Sequence, residues 1–276
     1  MVFDPIALDG STIWLLIAGL GATGAIAGIL AGLLGVGGGT VIVPVLFWIL
    51  SALGIVPEHV SHLAVATSLA TIIPTSISSM RAHNKRGTVD RVLLKLWGPA
   101  IVLGAIVGGA LAAVISGGGL RYIFGLVGLL VAINMALPKT LVISQGLPAS
   151  QGLNRIVAAV IGLISSLMGI GGGTLSVPTL SSMSFPVHRA VGTASAMGLL
   201  IAVPGVIGFI YAGWGVEGLP WGSLGYVNLP AAILIAPLSY ALAPIGVRLA
   251  HALNPKHLKL VFALFLFITS VRMLLS

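Results

Sequence analysis

Two short runs in this chain combine residue types that can hold an anion without a cationic side chain. Gly35-Val36-Gly37-Gly38-Gly39-Thr40 is followed by Val43-Pro44, and Gly169-Ile170-Gly171-Gly172-Gly173-Thr174 by Val177-Pro178. Every residue of the second copy stands 134 positions after its partner. Three successive glycines cost a helix about 1 kcal/mol each relative to alanine, so each run predicts a break. Unwound backbone at membrane depth is tolerated where it lines a cavity or is buried in protein. The break offers free N–H groups at the start of the next helix, backed by the positive end of its dipole. The candidate ligands are Gly37, Gly38, Gly39 and Thr40 with Gly171, Gly172, Gly173 and Thr174. The threonine hydroxyls there can cap a helix or donate to a ligand. The bland alternative is close helix packing through small residues. A break duplicated in front of two unusually short apolar segments favours a site.

A second duplicated phrase follows. His62-x-Ala64-x-x-Thr67-Ser68 is echoed by His188-x-Ala190-x-x-Thr193, with Ser195 nearby. Thr67, Ser68, Thr193 and Ser195 can hydrogen-bond an oxyanion, or they can bond back to their own helices. His62 and His188 are expected near the membrane surface, as solvated residues or, if protons are coupled to transport, as their carriers. All five acidic residues (Asp4, Asp9, Glu58, Asp90 and Glu217) fall outside the apolar cores, which leaves no intramembrane carboxylate for a relay or cation site. The sequence carries no phosphate-binding GxxxxGK motif, no catalytic carboxylate pair and no metal-ligand cluster. Without cysteine it has no disulfide or thiolate chemistry. No enzymatic activity, cofactor or metal is expected.

The elements that position these residues are read from apolar length. Of the 276 residues 58% are hydrophobic and 7% charged, whereas about 25% charge is usual in water. Ten apolar segments appear, at 12–35, 40–53, 60–80, 95–115, 120–137, 154–168, 174–184, 189–211, 227–250 and 258–275. They predict an all-α polytopic membrane protein of about ten transmembrane or partly spanning helices. Their continuous apolarity excludes a β-barrel. Segments 40–53 and 174–184, which follow the glycines, are too short to cross comfortably at ~1.5 Å per residue. The net charge of +8 lies in loops and at helix ends with no aromatic-interleaved basic face, so no nucleic-acid partner is expected. Met1 to Gly10 lacks a basic region, so the first apolar run is expected to remain in the mature protein.

Loop charge assigns the sides. Arg81, Lys85, Arg86, Arg91 and Lys95 follow the third segment, whereas the equivalent loop from Gly213 to Asn228 has no cation and one Glu217. Short basic loops stay cytoplasmic, which puts equivalent loops on opposite sides. Arg189 against Glu58, and Arg248, Lys256 and Lys259 against Arg121 alone, point the same way. The expectation is two inverted five-segment repeats, 1–138 and 153–276, joined by a cytoplasmic linker at 139–152. Loop 81–95 is then cytoplasmic and both termini lie outside a prokaryotic-type inner membrane.

The twice-written Gly-x-Gly-Gly-Gly-x-x-x-x-Pro pattern, with Arg81-Ala82-His83-Asn84-Lys85-Arg86-Gly87-Thr88-Val89-Asp90, resembles the TauE/SafE group of sulfite and organosulfur-anion exporters. The resemblance covers essentially the whole chain. It implies a secondary transporter of small anions such as sulfite, sulfonates or related organic anions, often moved outward. The implied partners are that anion and the lipid bilayer. An anion channel and a non-transporting membrane interaction subunit are the rival readings.

Overall fold

The computed structural model describes residues 9–137, 144–252 and 255–275. Asp4, residues 138–143 of the expected linker, and the side chains of Lys256, Leu258 and Lys259 lie outside the described residues. The helices are α1 (Gly10–Leu34), α2 (Gly39–Ala52), α3 (Pro57–Asn84), α4 (Arg91–Leu111), α5 (Gly117–Ala136), α6 (Gln151–Met168), α7 (Gly173–Ser182), α8 (Val187–Ala212), α9 (Leu229–Ala252) and α10 (Pro255–Leu275). The apolar segments read from the sequence lie along these helices. A two-residue ribbon, which the sequence did not suggest, pairs β1 (Ser223–Leu224) antiparallel with β2 (Val227–Asn228) before α9.

Seven of the helices, α1, α3, α4, α5, α6, α8 and α9, are long and apolar enough to cross a membrane. With 14 and 10 residues, α2 and α7 extend only about 21 and 15 Å. The outer helices expose large apolar side chains, among them Leu15, Leu130, Ile156 and Ile207. A surface of this kind is solvated by lipid tails, and the chain is a multi-pass membrane protein.

The two breaks begin alike. Gly35 ends α1 at φ 70 and Gly169 ends α6 at φ 67, the left-handed conformation that glycine adopts at helix ends. They finish differently: Gly38 enters α2 at φ 81, whereas Gly172 enters α7 at φ −57.

The most extensive packing joins α1 to α9 and α4 to α6, followed by α3 on α8, α5 on α10, α4 on α8 and α3 on α9. Shorter contacts join α2 to α3 and α7 to α8. Exchange each of the first five helices with the helix five places later, and this set of contacts is unchanged. Small residues let the paired backbones approach. Gly24, Gly28 and Gly32 of α1 lie against the backbone of Ile235, Ser239 and Ala243 in α9. Gly104 and Gly108 of α4 lie against the carbonyls of Ala159 and Leu163 in α6. A methyl group on Gly28 would stand 2.5 Å from the Ser239 oxygen, so the pair has no room for a side chain. The centre belongs to α3 and α8: 72% and 61% of their most apolar windows are buried, against 28% for α1.

Candidate functional site

The two glycine runs meet. The Gly171 N–H donates to the Val36 carbonyl at 3.1 Å. A methyl group on Gly37 would stand 3.1 Å from the Gly171 Cα. One on Gly39 would overlap the Gly169 carbonyl, and one on Gly173 that of Gly35. Residues 35–40 and 169–174 are buried throughout. Backbone packs on backbone reciprocally: the start of α2 lies against the second break and the start of α7 against the first.

Thr40 and Thr174 occupy equivalent places at this crossing, and both hydroxyls are buried without a hydrogen-bond partner. Five further buried hydroxyls among the described residues lack a partner, those of Ser76, Ser165, Ser166, Ser176 and Ser270, and Ser76 lies on α3. It faces Gly198 of α8, on the side of that glycine where the Gly172 amide nitrogen also lies. A buried donor left unmade costs about 1–3 kcal/mol. Pro44 and Pro178 also remove the N–H groups that would close the next helical bonds onto the Thr40 and Thr174 carbonyls. The crossing therefore holds unspent polar groups inside an apolar interior.

The other sequence-predicted residues separate into two groups. Ser68 reaches the crossing, its Oγ donating to the Gly169 carbonyl at 2.7 Å. Ser195 donates to the Gly192 carbonyl of its own helix at 2.6 Å. Thr67 and Thr193 anchor the starts of helices from the opposite half of the chain. Thr67 Oγ1 accepts from the Asn228 N–H at 2.9 Å, and Asn228 Oδ1 accepts from the Ala231 N–H in the first turn of α9. Thr193 Oγ1 accepts from the Asp90 N–H at 2.8 Å, and Asp90 Oδ1 accepts from the N–H groups of Val92 and Leu93 in α4. Asp90 is also paired with Arg189 at 2.5 Å.

The histidines differ from one another. His62, expected at a solvated helix end, is buried. Its Nδ1 stands 3.2 Å from the Glu58 carbonyl and its Nε2 3.1 and 3.0 Å from those of Ala112 and Ile115. Its ring stacks on Tyr226 at 4.6 Å. The fold brings the α4–α5 connection over this end of α3, which is why the ring is covered. His188 is exposed in the first turn of α8.

Sequence reasoning missed a polar stripe. Along α3, Thr71 donates to the Ser68 carbonyl, Thr75 bonds Thr71 and Ser239, and Ser78 donates to the Tyr240 carbonyl of α9. The three-to-four spacing of Ser68, Thr71, Thr75, Ser78 and Ser79 was the available signal. Two cavities open toward the ends of α3. One of about 490 Å³ is lined by Arg81, Lys85, Arg86, Tyr240 and Arg248. The other, of about 780 Å³, is lined by Trp48, Glu58, Ser61, Arg121 and Arg272.

Residues 20–273 match the sulfite exporter TauE/SafE family. The chain belongs to that family. Among its relatives this TauE/SafE protein is 34% identical to a probable membrane transporter protein of Haemophilus influenzae, over 92% of this chain and 96% of the relative. It is 31% identical to a probable membrane transporter protein of Methanocaldococcus jannaschii, over 91% and 93% of the two chains. It is 27% identical to the probable membrane transporter protein YunE of Bacillus subtilis, over 84% and 86%. No solved structure matches the chain. Membership places this TauE/SafE protein among membrane transporters.

Proposed function

We propose that this protein is a secondary transporter that exports sulfite, sulfonates or related small organic anions across a prokaryotic inner membrane by alternating access. The observation that carries the reading is the crossing itself: two broken runs packed backbone on backbone in the interior, each followed by a threonine whose buried hydroxyl is unspent. Amides of Gly37, Gly38 and Gly39 with those of Gly172 and Gly173, together with the two threonines, would hold the oxyanion, while Gly171, whose N–H is spent on the Val36 carbonyl, ties the two runs together. Ser68 fixes the second run through Gly169. Thr67, Thr193 and Ser195 complete the surrounding frame, and His62 and His188 are the groups available for proton coupling. The absence of acidic residues from the apolar segments supports an anion over a cation as cargo.

Loop charge and the exchangeable helix contacts support two inverted repeats, 1–138 and 153–276, with loop 81–95 cytoplasmic and both termini outside. In this reading the moving bodies have a mixed composition, with α1, α2, α3 and α9 in one and α6, α7, α8 and α4 in the other. Alternating access then rocks these bodies about the α3–α8 contact. The membrane potential contributes about 2.3 kcal/mol per charge per 100 mV to outward movement of an anion. The matched relatives, named as probable membrane transporters, favour the same reading.

Proteoliposomes screened for uptake of sulfite, sulfonates and small carboxylates test the proposal. A transporter gives saturable flux accelerated by the same anion on the far side. A channel gives flux without that exchange, and an interaction subunit gives none.

A further inference from the structure

The cavity of about 490 Å³ lies where the C-terminal end of α3 meets α9. Arg81, Lys85 and Arg86 reach it from α3 and the turn that follows, and Arg248 reaches it from α9. None of the four has an acidic partner among the described residues. Tyr240 adds a hydroxyl, which accepts from Arg81 at 3.4 Å, and Ser78 adds another. Basic side chains at helix ends complement the dipole and keep a loop cytoplasmic. Those roles need the charges near one surface; they do not need them around one concavity.

The cavity also has a polar continuation. From Ser78 the stripe on α3 passes Thr75, whose Oγ1 stands 2.6 Å from Ser239 Oγ of α9, then Thr71 and Ser68, which bonds the second glycine run. The equivalent seam between α4 and α8 is shut by backbone, Gly109 against Gly208. We propose that the basic cavity is the cytoplasmic receiving site for the transported oxyanion, concentrating it before it enters the α3–α9 seam. This rests on the transport reading above. Clefts lined by one sign of charge raise the local concentration of the opposite ion by roughly 10–10³.

The chain has no cysteine, so a single thiol can report the local field directly. Ala241→Cys places one on the cavity wall. In zwitterionic vesicles its modification by the sulfonate-bearing ethyl methanethiosulfonate is compared with that by the trimethylammonium analogue. Each rate is normalised to reaction with 2-mercaptoethanol. At low salt the anionic reagent is favoured by at least about tenfold. The bias falls toward unity above ~0.5 M salt and in the Arg81→Gln, Arg86→Gln, Arg248→Gln background. Free ethanesulfonate slows the reaction. Glu217→Cys, in a loop without cations, shows no such preference. Equal rates for the two reagents at Ala241→Cys overturn the proposal. So does protection by anionic vesicle lipid in place of ethanesulfonate, which makes the cavity a lipid headgroup site. Bias without any transport in the anion screen overturns the transport reading and leaves only an anion-binding cavity. Transport without bias retains the transporter and removes the receiving site. With both present, neutralising the three arginines raises the half-saturation concentration about tenfold and leaves the maximal rate unchanged.

Discussion

Helices α3 and α8 occupy equivalent places, pack on each other and open with the same His-x-Ala-x-x-Thr phrase, yet their later turns differ in kind. Where α3 has Ser68, Thr71, Thr75, Ser76, Ser78 and Ser79, α8 has Ala194, Met197, Ile201, Ala202, Pro204 and Gly205. What the halves share is backbone architecture. Thr67 and Thr193 each anchor a helix start from the other half, Gly35 and Gly169 each end a helix, and glycines line both long helix pairs. What they do not share is polar lining. The lesson is that equivalent backbone frames carry different linings, and the polar one belongs to α3. That lining adjoins the basic cavity, whereas the matching seam is closed by glycine on glycine.

The comparison can be broken most forcefully at the crossing. Gly171→Leu puts a side chain where even a methyl group would meet the Val36 oxygen at 2.5 Å. Overpacking of this kind costs typically about 1–3 kcal/mol, so thermal unfolding in detergent shifts down and anion flux disappears. Gly37→Leu, at φ 71 and against Gly171, has the same outcome. Normal flux in either variant removes the crossing as the site.

Polar lining is tested next, by exchanging it between the helices. Ser76→Ala deletes a hydroxyl that has no partner, so stability stays within about 0.5 kcal/mol or rises. If that hydroxyl serves the anion, flux falls about tenfold while the protein remains folded, the equivalent of one ~1.4 kcal/mol interaction. Ala202→Ser, at the matching position of α8, leaves flux unchanged. Equal losses from the two changes would mean that the path is two-sided.

The shared frame predicts equal effects. Thr67→Val and Thr193→Val each remove an acceptor for a buried N–H at a helix start, a loss of about 1–2 kcal/mol read by unfolding in detergent. A large difference between them would mean that the anchors are not equivalent. The smallest effect belongs to Arg189→Gln. Its side chain is 53% exposed, and an ion pair of that exposure contributes less than about 1 kcal/mol, while Asp90 keeps its capping bonds.

Much of this frame was legible in the residues, because membrane helices declare themselves by apolar length and breaks declare themselves by glycine. The runs at Gly35–Thr40 and Gly169–Thr174 could be found and paired from the sequence alone. That they touch could not, since contact between residues 134 positions apart depends on how α1 docks on α9 and α6 on α4. Thr67 and Thr193 were legible as a pair of hydroxyls, but their use was not. Their partners, Asn228 and Asp90, lie 161 and 103 residues away. His62 looked like a surface residue because it is only five positions from the start of its helix. The cover over it comes from Ala112 and Ile115, at a distance no local pattern encodes.

The central claim is that the two runs build one anion site, with Thr40 and Thr174 as its two hydroxyl donors. Counterflow in proteoliposomes, comparing the unaltered protein with Thr40→Val, Thr174→Val and the double variant, tests it most directly. The account predicts that each single change raises the half-saturation concentration about tenfold, that the double change abolishes saturable exchange, and that all three variants remain as stable as the parent. Saturable exchange with an unchanged half-saturation concentration in the double variant would contradict it.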